Sequence, residues 1–214
     1  EDMVVTISHG GYIKRNAVSL YRSQRRGGKG KMAATTKEDD FVESLFVAST
    51  HSYILFFSNK GRVYWLKVHE LPQMGRAARG KAIVNLLQLE AGETIAAHLS
   101  VRQFEEGKYV MVATAQGTVK KTDLMAYSNP RKGGIIGLLL DEGDEQIAAR
   151  LTDGEQHVFL ATADGMSIRF KESDVRPMGR VARGVRGMTL DKGDKVVSME
   201  TASRPASLLT VCEN

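Results

Sequence analysis

The chain has 214 residues, 42% of them hydrophobic and 26% charged, which suits a globular protein of one large β domain or two small ones. It has no apolar run long enough to span a bilayer as a helix. It also lacks the basic and apolar opening of a signal peptide, so the reading is a soluble cytoplasmic protein. Net charge is only +5, but residues 1–100 hold 14 basic and 9 acidic side chains while residues 101–214 hold 16 of each, so the excess lies in the first half.

The first element, residues 4–15 (VVTISHGGYIKR), reads as a β-hairpin: an apolar strand, a turn ending on Gly11 and a strand with basic residues. Between Met3 and Lys37 there is no acidic residue but eight basic ones, Lys14, Arg15, Arg22, Arg25, Arg26, Lys29, Lys31 and Lys37. Within that stretch lies a heptad, Gln24, Arg25, Arg26, Gly27, Gly28, Lys29 and Gly30, with no apolar side chain to bury. Its glycines allow close approach to another surface, and its cations supply forked and point charges suited to a phosphate backbone. An acidic turn, Glu38-Asp39-Asp40, follows.

The same order then recurs. Residues 53–67, 109–122 and 157–171 are further hairpins with turn glycines Gly61, Gly117 and Gly165, spaced from Gly11 onward by 50, 56 and 48 residues. Each is followed by a basic, glycine-containing loop. These are Gly75-Arg76-Ala-Ala-Arg79-Gly80-Lys81, then Pro130-Arg131-Lys132-Gly133-Gly134, then Gly179-Arg180-Val-Ala-Arg183-Gly184. Acidic turns at 90–93, 141–145 and 191–194 close the units. Rotationally related repeats would put the basic loops on one rim and the acidic turns elsewhere. Four short strands per unit and no sustained helical periodicity predict an all-β fold of radial blades. Approximate repeats run over 1–50, 51–106, 107–154 and 155–204, within one domain covering 1–214. Residues 207–214 (SLLTVCEN) match the first strand of a fifth unit whose turn glycine would fall at 215, so the chain reads as C-terminally truncated. An unpaired edge at 207–211 would be a site for aggregation or strand swapping.

Several chemistries find no support. Residues 75–81 resemble a phosphate-binding loop, but Ala82 stands where Ser or Thr would hold the metal, and the copy at 179–184 lacks the lysine. Five histidines without ligand spacing and a single cysteine, Cys212, make no metal site and no internal disulfide. No serine sits in a nucleophile elbow. Tyr64, Trp65, Phe56 and Phe57 alternate beside a turn, which suits core better than a platform for stacked bases. No cofactor is expected.

The heptad and the repeats together resemble the C-terminal domain family of the DNA gyrase A subunit, whose signature box the heptad matches; Gly61-Arg-Val-Tyr64 and Gly184-Val-Arg-Gly187 fit it too. The resemblance covers the whole chain. It implies a β-pinwheel, a propeller-like disk of about fifty-residue four-stranded blades that exchange strands; family members usually have six blades, and this chain has four plus the first strand of a fifth. It also implies non-sequence-specific binding of double-stranded DNA and its chiral wrapping around a basic rim, so that the parent gyrase introduces negative supercoils at the expense of ATP. The implied partners are the gyrase B subunit, together with the N-terminal cleavage core of the polypeptide to which such a domain belongs. The domain itself would be a monomer and no enzyme, nucleoid-associated and without a membrane.

By the same resemblance the DNA contacts fall on Gln24, Arg25, Arg26, Gly27, Gly28, Lys29, Gly30 and Lys31, and on later blades on Arg62, Lys67, Arg76, Arg79, Lys81, Lys120, Lys121, Arg131, Lys132, Arg169, Arg180 and Arg183. Bending 20–30 bp by 40–90° costs about 1–6 kcal/mol, so wrapping needs many phosphate contacts and a steep salt dependence. Two alternatives stand beside this reading. One is a topoisomerase IV-type domain that binds DNA without strong wrapping, against which the intact heptad argues; the other is a β-repeat scaffold for acidic protein partners.

Overall fold

The computed structural model describes residues 1–21, 26–28, 40–203 and 206–208. They contain fifteen strands and no α-helix. The first repeat supplies β1 (Asp2–Ser8), β2 (Tyr12–Ala17) and β3 (Val42–Ser49). The second supplies β4 (Tyr53–Ser58), β5 (Arg62–Lys67), β6 (Lys81–Ala82) and β7 (Ile95–Val101). The third gives β8 (Tyr109–Thr114), β9 (Thr118–Asp123), β10 (Ile135–Ile136) and β11 (Gln146–Thr152). The fourth gives β12 (His157–Thr162), β13 (Ser167–Lys171), β14 (Val185–Arg186) and β15 (Val196–Ala202).

Strand order shows how the repeats interlock. The sheets read β3-β1-β2-β6, β10-β5-β4-β7, β11-β8-β9-β14 and β13-β12-β15. In each four-stranded sheet the two-residue strand comes from the loop region after the hairpin: Lys81 and Ala82 pair with Ile13 and Tyr12, and Val185 and Arg186 with Val119 and Thr118, each from the following repeat. The expected four strands per blade hold for three sheets, while the fourth has three among the described residues.

Each hairpin turn is built by the same side chains. The turn glycines Gly11, Gly61, Gly117 and Gly165 take φ of +80°, +77°, +89° and +85°, a region that L side chains avoid. Three residues before each stands a hydroxyl that accepts the N–H just after the glycine: Ser8 from Tyr12, Ser58 from Arg62, Thr114 from Thr118 and Thr162 from Met166, at 3.0–3.2 Å. Ser and Thr make such local bonds readily, which is why they recur here. The last aspartate of an acidic turn adds a brace. Asp40 accepts the Gly10 N–H at 2.7 Å, Asp144 that of Gln116 at 2.9 Å and Asp194 that of Asp164 at 3.1 Å.

The chain divides into two compact units. Unit 1 comprises Glu1–Phe56, Val63–Gln103 and Pro130–Ile135, and buries Met3, Val5, Ile13, Ile54, Phe56 and Tyr64 among its core residues. Unit 2 comprises Phe57–Arg62, Phe104–Asn129 and Ile136–Asn214, with a core that includes Met111, Val119, Val158, Leu160, Val196 and Met199. Tyr64, Trp65, Phe56 and Phe57 are all buried, as expected of core, but as two adjacent pairs, so both faces of β4 and β5 are covered there.

Candidate nucleic-acid interface

Of the heptad, Arg26, Gly27 and Gly28 are described, and all three are exposed, with Gly27 at φ +86°. Gln24, Arg25, Lys29, Gly30 and Lys31 lie outside the described residues, as does most of the proposed open edge at 207–211.

Unit 1 brings three predicted cations to one cleft. Lys67, Arg131 and Lys132 line it together with Tyr53, Trp65, Glu70 and Pro130. The Lys67 ammonium lies 5.4 Å from the centre of the Tyr53 ring, and its backbone N–H donates to the Glu70 carboxylate at 2.7 Å, which fixes the end of β5. Arg131 and Lys132 are exposed.

The loop at 75–81 is clamped from beneath. Lys14, itself buried, donates from Nζ to the carbonyls of Gly75 at 3.3 Å, Ala78 at 2.7 Å and Arg76. The guanidinium of Arg79 lies 3.5 Å from the centre of the Tyr12 ring, a cation–π arrangement. Arg76 and Arg79 are half-buried and Lys81 is exposed.

Unit 2 repeats the arrangement at 179–184. Lys120, fully buried, donates to the carbonyls of Gly179 at 3.2 Å, Arg180 at 2.7 Å and Gly137. Arg180 donates to the Ile136 carbonyl at 3.2 Å, and Arg183 pairs with Asp141. That pair is well exposed on both sides (63% and 59%), and exposed pairs contribute little. The contact corrects the expected segregation of charge, because here an acidic turn meets a basic loop.

The structure corrects two predicted contacts. Lys120 and Lys121 are buried, at 0% and 4% exposure, and cannot touch a phosphate backbone directly. The Lys121 ammonium donates to the Glu172 carbonyl at 3.1 Å. Alternation in β9 fails as a guide because both faces of this strand are covered: Val119, Lys120, Lys121 and Thr122 are all buried. Arg169, on β13, is exposed, and Arg62 is half-buried.

Burial leaves a mark on both clamping lysines. Desolvation, and then the neighbouring Arg180 charge, lower the Lys120 ammonium to a pKa of about 8. Burial and Arg76 lower Lys14 in the same direction. Sequence reasoning noted Lys14 and Arg15 only as part of a basic run. Arg15 in fact reaches the carbonyls of Leu71 at 2.9 Å and His69 at 3.2 Å. The usable signal was position: Lys14 and Lys120 both stand three residues after a turn glycine.

Residues 2–49, 52–101, 108–153 and 156–203 each match the family model described as the DNA gyrase C-terminal domain, beta-propeller. The chain belongs to that family. It is 54% identical to the DNA gyrase A protein of Salmonella typhimurium and 52% identical to that of Escherichia coli K12, in both cases over all 214 residues and 24% of the relative. The chain thus spans about a quarter of the length of those curated relatives. Among solved structures it is similar to the C-terminal domain of DNA topoisomerase IV, with a TM-score of 0.82 and 32% identity over 95% of this chain and 62% of the other. It is also similar to the DNA gyrase A C-terminal domain, with a TM-score of 0.70 and 25% identity over 94% and 65%. The fold is the all-β, propeller-like pinwheel of this family. Among the described residues no helix is long and apolar enough to cross a membrane, and no cluster of three metal-ligating side chains occurs.

Proposed function

We propose that this chain binds double-stranded DNA without reading its sequence and wraps it with a fixed hand, as one domain of the approximate repeats 1–50, 51–106, 107–154 and 155–204. The observation that carries the reading is recurrence within the family framework. Basic loops at equivalent places, 75–81 and 179–184, are held by equivalent lysines, and a third basic cluster lines the cleft of Lys67, Arg131 and Lys132. Phosphate contacts spread over several repeats supply affinity without base contacts. Arg26, Arg62, Lys67, Arg76, Arg79, Lys81, Arg131, Lys132, Arg169, Arg180 and Arg183 are the contact residues among those described. Gly27 and Gly28, and, outside the described residues, Gln24, Arg25, Lys29, Gly30 and Lys31, complete the set.

In the longer protein this domain would serve gyrase. Its partners there would be the N-terminal core and the gyrase B subunit, with ATP-driven negative supercoiling the outcome. The domain is not itself an enzyme in this reading, and it works at the nucleoid. A second reading has one observation in its favour: the solved topoisomerase IV domain superimposes with the higher TM-score of the two, 0.82 against 0.70. In that case the chain binds DNA with little wrapping. Ligation of nicked plasmid in the presence of the chain separates the two, since only chiral wrapping changes the linking number.

A further inference from the structure

Lys14 and Lys120 pose a problem that the DNA reading alone does not solve. A buried ammonium is costly unless every hydrogen finds an acceptor. Here each donates to three carbonyls, and most of these belong to the following repeat: Gly75, Arg76 and Ala78 for Lys14, Gly179 and Arg180 for Lys120. In both cases the clamped segment has the form Gly-Arg-x-Ala-Arg-Gly, and the carbonyl of its first arginine is itself an acceptor.

The second repeat acts as an internal control. Tyr64 occupies the position of the lysine, three residues after Gly61, and its hydroxyl donates to Glu93 at 2.7 Å. The loop that follows is not Gly-Arg-x-Ala-Arg-Gly but Pro130-Arg-Lys-Gly-Gly134. It packs glycine against the tyrosine, so that a Cβ on Gly134 would lie 2.6 Å from the ring. The residue at this one strand position therefore goes with the kind of basic loop beside it.

We propose that Lys14 and Lys120 are positioning residues of the nucleic-acid interface: each, from inside the protein, fixes the backbone of the two-arginine loop of the next repeat and so places that loop's guanidinium groups against DNA phosphates. This role rests on the reading of the chain as a DNA-binding domain. The fixed loop loses less conformational freedom when DNA arrives than a loose one would. The lowered pKa of both lysines, caused by burial and by Arg76 or Arg180 nearby, agrees with ammonium groups pressed against the loops they hold.

The test is binding of linear duplex DNA by the 214-residue chain over a salt series. Variants are Lys120→Met, Arg180→Ala/Arg183→Ala and the three combined, each checked for folding by circular dichroism. Losing two phosphate contacts lowers the slope of log affinity against log salt by about 2. Lys120→Met, with both arginines still present, should lower it by about 1–2, and adding it to the arginine variant should change affinity by less than about twofold. Lys14→Met against Arg76→Ala/Arg79→Ala repeats the test in unit 1. A Lys120→Met slope equal to that of the unaltered chain, or losses that simply add, would overturn the positioning role and leave DNA binding standing. Absence of DNA binding by the unaltered chain would overturn both. Lysine variants that fail to fold in both units would assign these residues to stability alone and overturn the role as well.

Discussion

Gly117 and Gly165 occupy the same turn position in successive repeats with nearly the same φ, +89° and +85°. A Cβ on Gly165 would meet nothing within 4 Å, whereas one on Gly117 would lie 2.7 Å from the Met188 carbonyl oxygen. Alanine at either position carries the left-handed penalty of an L residue, about 1–2 kcal/mol. Only Gly117→Ala also forces the next repeat away. The N–H groups of Gly187 and Met188 donate to the Gly117 carbonyl at 2.8 and 3.2 Å, and losing both bonds adds about 1–3 kcal/mol. Gly117→Ala should thus destabilise by about 2–5 kcal/mol and Gly165→Ala by about 1–2 kcal/mol. Urea unfolding followed by circular dichroism measures the difference, which corresponds to roughly 1 M in midpoint for a typical dependence on denaturant. Equal shifts for the two variants would refute the idea that the turn glycine serves as the seat of the following repeat.

Two further outcomes follow from the same structure. Tyr64→Phe removes the hydroxyl that donates to the buried Glu93 carboxylate at 2.7 Å and should cost about 1.5–3 kcal/mol, read from the fluorescence of neighbouring Trp65 during urea unfolding. The Thr162 hydroxyl, against the opposing effect of burial, and then the N–H groups of Asp164, Lys195 and Ala163 hold the Asp194 carboxyl below its ordinary pKa. Its contribution to stability is therefore complete above the unfolded value of 3.8 and is lost as pH falls through the lower folded value. The urea midpoints of Asp194→Asn and the unaltered chain should differ most above the unfolded value of 3.8 and draw together as pH falls below it.

The repeats were legible because turn glycines punctuate them at intervals near fifty residues, and the hairpins because apolar strands flank those turns. Burial of Phe56, Phe57, Tyr64 and Trp65 followed from their aromatic character beside a hairpin turn, although alternation alone would have buried only one of each adjacent pair. Strand exchange between blades was expected from the family resemblance, but the strands that do it could not be located: Lys81–Ala82, Ile135–Ile136 and Val185–Arg186 are two residues each, too short for any pattern. Nor was the inward placement of Lys120, because its acceptors at Gly179 and Arg180 lie about sixty residues on and a lysine in a strand reads as solvent-facing. The acidic turns misled in a related way. They read as surface charge set apart from the basic loops, whereas Asp40, Asp144 and Asp194 turn inward to hairpin amides about thirty residues away and Asp141 meets Arg183. In both cases a charged side chain serves the backbone of another element, and only its recurrence at a fixed offset from the turn marks it.

Chiral wrapping is the central claim, and the linking number of nicked plasmid ligated with increasing amounts of the chain tests it most directly. The account predicts a protein-dependent shift that disappears when Arg25, Arg26 and Lys29 are changed to alanine. Binding of the plasmid with no shift at any protein concentration would contradict it and leave a domain that holds DNA without wrapping it.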